Sequence, residues 1–123
     1  MNKICTTIEQ SKKLVKILPI DSADAFYDMA EPEKRQVPII GHPDEYYDMK
    51  DWAIHCWSLA ALLDILDNRA YSIDEDANVT LSSYKNVKWD LSISNSSLGV
   101  VTKSDSIDAC VEMILKLHEK KLI

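Results

Sequence analysis

Glycine is scarce in this chain: 123 residues hold only two, Gly41 and Gly99, and neither opens a glycine-rich run. Loops that cradle phosphate need glycine, because backbone amides must approach the ligand unobstructed by side chains. P-loop and dinucleotide-binding folds are therefore excluded, as is the long Gly- and Glu-containing box of nudix hydrolases. Cysteine is nearly as scarce. Cys5, Cys56 and Cys110 are odd in number, far apart and without a C-x-x-C pair, which argues against a disulfide framework or a zinc knuckle and favours a reducing cytoplasm. No apolar run approaches the ~20 residues that span a bilayer, and the opening MNKICTTIEQ lacks the apolar segment of a signal peptide. Segregated positive charge is missing too. Fourteen Lys and Arg stand against 20 Asp and Glu, a net charge of −6, and the basic residues of the first and last helices sit beside acids. Such a surface repels phosphate backbones, so neither nucleic acid nor a membrane is an expected partner.

What is present is the make-up of an ordinary globular protein, 46% apolar and 28% charged, of a length that suits one domain over residues 1–123. The segment Trp57–Leu66, WSLAALLDIL, has Ser58 and Asp64 as its polar side chains. A helix built from it is apolar almost all round and belongs inside the protein. Ser58 is its expected N-cap, Trp57 and Leu62 have the spacing of a hydrophobic staple, and Asp67–Asn68 mark its end. Leu63 is expected in the core.

Earlier in the chain, Thr6–Leu18 reads as a helix ended by Pro19, with Thr6 and Glu9 at capping-box spacing. Residues 20–54 read as a long connection, cut by Pro32, Pro38 and Pro43, with short strands at Ala25–Tyr27 and Val37–Ile40. Beyond the central helix the period changes to two. Val87, Trp89, Leu91 and Ile93 alternate with polar residues as a half-buried strand does. Val79–Tyr84, joined to it across Lys85–Asn86, and Leu98–Thr102 complete a three-stranded meander, with Tyr71–Ile73 as a possible fourth strand. A closing helix over Ser106–Lys121 has Asp105 as cap and an apolar face of Ile107, Cys110, Val111, Ile114 and Leu117. The expected class is α+β: three helices with a small antiparallel sheet of three to four strands.

Candidate chemistry concentrates in His42–Cys56, which contains His42, Asp44, Glu45, Asp48, Asp51, His55 and Cys56. Their spacing matches no recognised metal pattern, and no serine sits in a G-x-S-x-G elbow. The sequence therefore calls for no metal, cofactor or catalytic residue. Tyr46, Tyr47, Trp52 and Trp57 cluster at the entry to the central helix, where aromatics either plug the core or form a binding patch. Tyr46, Tyr47, Trp52 and His55 are the candidate binding residues.

WSLAALLDIL, together with the opening MNKICTTIEQSKKL and the ending SIDACVEMILKLHEKKLI, resembles a group of short uncharacterised proteins of gut anaerobic bacteria, their phages and mobile elements. The likeness covers these three segments, and His55–Cys56 replaces the Pro-Ala that precedes Trp-Ser-Leu in those relatives. It implies a small bacterial accessory protein and carries no activity or site residues. The function expected from the sequence is binding, to a protein partner or to itself. The alternative is a small-molecule binder or hydrolytic enzyme with a pocket near residues 41–56, carrying a shifted carboxylate or histidine among His42, Glu45, Asp48 and His55.

Overall fold

The structure is a computed structural model that describes residues 3–30, 37–42, 52–85 and 87–123. The described residues form an α+β protein with three α-helices and two three-stranded antiparallel sheets. The chain divides into two compact units, Ile4–Ala61 and Leu62–Ile123, the latter taking in Lys3.

In the first unit, helix α1 spans Ile8–Leu14. Its capping box lies one residue later than the sequence suggests. Thr7 accepts from the Gln10 amide at 3.1 Å, and the Gln10 side chain accepts from the Thr7 amide at 2.9 Å. Thr6 is occupied otherwise: it is buried, and its hydroxyl lies 2.7 Å from that of Ser11. Regular helix stops at Leu14, and hydrogen bonds from Ile17 and Leu18 to the Leu14 carbonyl carry the turn on to Pro19. Leu14 and Leu18 are buried while Val15 is exposed, so the inward face is narrower than the run of apolar residues implies.

A 3₁₀ turn over Ile20–Ser22 leads into strand β1, Ala25–Asp28. This strand lies centrally between β2, Ile39–Ile40, and β3, Ala53–Cys56. The first two were expected; β3 was not. Its sequence, AIHC, is too short and mixed to declare a period, and pairing with β1 from Ala25↔Cys56 to Asp28↔Ala53 makes it a strand. The segment before α1 is held to the end of β3 by a Cys5↔Ser58 bridge and a 2.9 Å bond from the Thr6 amide to the Trp57 carbonyl. Trp57 is fully buried, with its indole N–H donating to Ser22 Oγ at 2.9 Å.

Helix α2 runs from Leu59 to Ile73, well past the expected end at Asp67–Asn68. Ser58 caps it as expected, accepting from the Ala61 amide at 3.2 Å. The Asp24 carboxylate in turn accepts from both the amide and the hydroxyl of Ser58. Tyr71–Ile73, considered as a fourth strand, is the last turn of this helix. Nor is the helix buried all round. Leu62, Leu66 and Ala70, spaced by four, are buried; Leu63 and Ile65 are half-buried; Ala60 and Asp64 face solvent. Extending the helix by two turns brings in Asp67, Asn68 and Arg69 on the wet side, turning an apparently all-apolar segment into an amphipathic one.

In the second unit, β4 (Val79–Tyr84), β5 (Lys88–Ile93) and β6 (Val101–Lys103) form the predicted meander in the order β4-β5-β6. Tyr84 pairs with Lys88, so the first hairpin has three loop residues rather than two. Lys85 takes φ = 52°, in the left-handed region. Val87 falls in this loop and is exposed, whereas Leu91 and Ile93 are buried as their alternation requires. Helix α3, Ser106–Glu119, lies on β5 and β6. The Asp105 carboxylate caps it by accepting from the amides of Ile107 at 2.8 Å and Asp108 at 3.1 Å. All five predicted face residues, Ile107, Cys110, Val111, Ile114 and Leu117, are buried.

The burial pattern moves the sensitive position of α2 from Leu63 to Leu66. Truncation of the fully buried Leu66 to Ala leaves a cavity and is expected to cost about 2 to 5 kcal/mol, against a smaller loss for Leu63→Ala, in denaturant unfolding. Equal losses at the two positions would contradict the one-sided burial of α2.

Candidate functional site

Two sites come together in the first unit, both on β3. The first is a cleft of about 520 Å³ lined by Lys12, Val15, Lys16 and Ile20 from α1 and the turns after it, and by Ala53, Ile54 and His55 from β3. Side chains at i and i+2 of a strand share a face. Ala53 and His55 thus share one face of β3 and Ile54 and Cys56 the other, with Ile54 both packing on the buried cysteine cluster and reaching the edge of the cleft. Most of the lining is apolar; Lys12 and Lys16 are exposed, whereas His55 is 8% exposed.

Burial fixes the state of His55. Loss of hydration lowers its pKa below the ordinary histidine value, and repulsion from His42 acts in the same direction. A neutral imidazole carries one N–H and one bare nitrogen. Nδ1 is buried without a hydrogen-bond partner, an arrangement that costs free energy unless something else supplies the bond.

The second site lies on the other face. Cys5, Ala25, Tyr27 and Cys56 form a buried cluster against which Ile8, Met29 and Ile54 pack. The sulfurs of Cys5 and Cys56 are 3.0 Å apart, and Cys5 Sγ is 3.6 Å from the Tyr27 hydroxyl. That hydroxyl donates to the Thr6 carbonyl at 2.7 Å. Hydrogen bonding from Cys56 holds the Cys5 thiol below its ordinary pKa despite burial. The same contact and burial push Cys56 up, and burial, followed by Cys5, raises Tyr27. Cys110, buried on α3, is pushed up to about 12 by burial and then by Asp105.

Of the residues singled out from the sequence, His55 lines the cleft. Trp52 instead packs edge-on against Phe26, their ring centroids 6.0 Å apart at 89°. Tyr46 and Tyr47 lie outside the described residues, as do Asp44, Glu45, Asp48 and Asp51. Among the described residues, no three His, Cys, Asp or Glu are grouped as a metal ion would require. No described helix is long and apolar enough to cross a membrane. Lys12, Lys16 and the Cys5–Cys56 pair were not found by sequence reasoning. The lysines look like solvated helix surface, and 51 positions separate the cysteines. Comparison with protein-family models, curated proteins and solved structures gave no match.

The depressed pKa of His55 has a definite sign in stability. The unfolded chain binds the proton from about pH 6.5 downward, while the folded chain does not bind it until lower pH, so stability falls as pH drops through this window. The melting midpoint of the wild type is expected to fall more between pH 7.5 and about pH 5 than that of His55→Gln. Parallel pH profiles for the two proteins would show that His55 carries no such linkage.

Proposed function

We propose that the protein is a cytoplasmic binding protein whose cleft between α1 and β3 takes a small carboxylate with an apolar body. The observation that carries this reading is an apolar cleft lined by two exposed lysines together with His55, a residue whose buried Nδ1 has no hydrogen-bond partner. The cleft volume falls within the range of about 300 to 1,000 Å³ usual for small-ligand sites. Val15, Ile20, Ala53 and Ile54 offer apolar surface to the body of the ligand. Lys12 and Lys16 offer positive charge to the carboxylate, and neutral His55 offers a hydrogen bond without adding charge. The cleft is read as a binding site, and no reaction is assigned to it.

Calorimetric titration with octanoate and phenylbutyrate tests the proposal. Saturable binding is expected, weakened roughly three- to tenfold when Lys12 and Lys16 are both changed to Ala and also weakened by His55→Ala. Absence of saturable binding of either compound, or affinity indifferent to all three positions, would sink the carboxylate reading.

A second reading, association of two copies of the chain, is favoured by β4. This six-residue strand lies at a sheet edge, carries no charge and no proline, and exposes Thr80, Ser82, Ser83 and Tyr84. Edges of this kind pair with one another unless charge or proline interrupts them. In sedimentation velocity the wild type is expected to show a concentration-dependent dimer that Thr80→Lys with Ser82→Lys removes. A monomer at all concentrations would exclude this use of the edge. Under either reading the chain acts by binding, as expected for an accessory protein of the kind its helices resemble.

A further inference from the structure

We propose that Cys5 and Cys56 form a reversible dithiol–disulfide couple oxidised by hydroperoxides, with Cys5 as the attacking sulfur and Cys56 as the resolving one. The proposal is independent of the ligand cleft. Its foundation is geometric: the two sulfurs are 3.0 Å apart in one buried cluster, while a disulfide bond is about 2.05 Å long. Closing it requires an approach of about 1 Å. The backbone around the pair is already fixed, by the Cys5↔Ser58 bridge on one side and Ala25↔Cys56 pairing on the other. Tyr27, whose hydroxyl meets Cys5 Sγ, also lines a surface depression of about 420 Å³ with Thr7, Ile8 and Glu9.

The chemistry balances without a metal or further cofactor. The Cys5 thiolate attacks one peroxide oxygen, the O–O bond breaks, and hydroxide leaves to take up the proton Cys5 has lost, giving water and a Cys5 sulfenic acid. Cys56 sulfur then attacks Cys5 sulfur. The S–O bond breaks, and the departing hydroxide takes the Cys56 proton as a second water. Two thiols have lost two electrons to one peroxide. An external dithiol reverses the step by exchange. The hydrogen bonding that favours a thiolate at Cys5 and disfavours one at Cys56 agrees with this division of roles. Cys110, isolated on α3 with its thiol held protonated, is the internal control.

The experiment uses the full reduced chain treated with hydrogen peroxide, alkylated under denaturing conditions and analysed by intact mass and peptide mapping. The expected product has lost about 2 Da, contains a peptide joining Cys5 to Cys56, still alkylates at Cys110, and reverts with dithiothreitol. Cys110→Ser should behave as the wild type. Cys56→Ser should stop at a sulfenic acid on Cys5, trapped by dimedone, while Cys5→Ser should yield neither product. Because the wild-type measurement needs no substitution, misfolding of a variant cannot decide the outcome. The proposal is overturned if the wild type keeps all three thiols, forms its disulfide through Cys110 or between chains, or passes directly to sulfinic acid. Dimedone trapped on Cys56 and not on Cys5 would overturn the assignment of roles.

Discussion

The pairing of Thr6 with Trp57 holds the first unit together. The Thr6 amide donates to the Trp57 carbonyl at 2.9 Å, and the Trp57 amide donates to Thr6 Oγ1 at 3.1 Å. Buried backbone groups must find partners, and here a threonine hydroxyl serves where a strand neighbour would otherwise be needed. That hydroxyl also reaches Ser11 on α1, and the Thr6 carbonyl accepts the Tyr27 hydroxyl. One residue thus ties the opening segment, the first helix, the central strand and the end of β3. Cys5, immediately before it, is brought to Cys56, immediately before Trp57.

The strand β3 gives the unit its two-sided character. Alternation sends His55 toward the cleft and Cys56 into the sulfur cluster, so adjacent residues occupy unlike environments separated by the thickness of one strand. Both groups are buried, yet burial acts on them with different results. It keeps the imidazole uncharged and leaves a polar nitrogen without a bond. On the sulfur side, a neighbouring thiol offsets burial at Cys5 and reinforces it at Cys56. The proposed carboxylate site and the proposed dithiol couple follow from the same strand through different physics.

Sequence reasoning read the second unit well because its signals are local. Period-two alternation over Trp89–Ile93 needs no distant partner, and neither does the Asp105 cap nor the inward face of α3. Where it failed, a non-local term decided. Thr7 rather than Thr6 caps α1 because Thr6 is engaged with Trp57 and Ser11. β3 exists because β1 pairs with it, not because AIHC has strong strand character. Helix α2 looked buried on every side when its polar last turns were left out. His55 was singled out as part of an aromatic and acidic segment; the structure places it instead opposite two lysines that sequence spacing cannot associate with it. Cys5 and Cys56 were read as far apart with no sign of a disulfide framework; both are free thiols, and their proximity comes from the Cys5↔Ser58 bridge, which sequence spacing does not reveal.

The two sheets differ in how much chain their closure must gather. β4, β5 and β6 are consecutive, and each pairing closes across a hairpin or short loop. In the other sheet, β1 must find β3 across the whole intervening connection, and the Cys5↔Ser58 bridge joins the two extremes of its unit. Loop-closure entropy is spent before such distant contacts return any stabilisation, which slows folding. Closure of the meander therefore costs less loop entropy, whereas neither the sulfur pair nor the cleft exists until the ends of residues 4–61 have met. During synthesis both sites stay unformed until β3 has emerged, so a nascent chain exposes Cys5 well before Cys56 is there to face it.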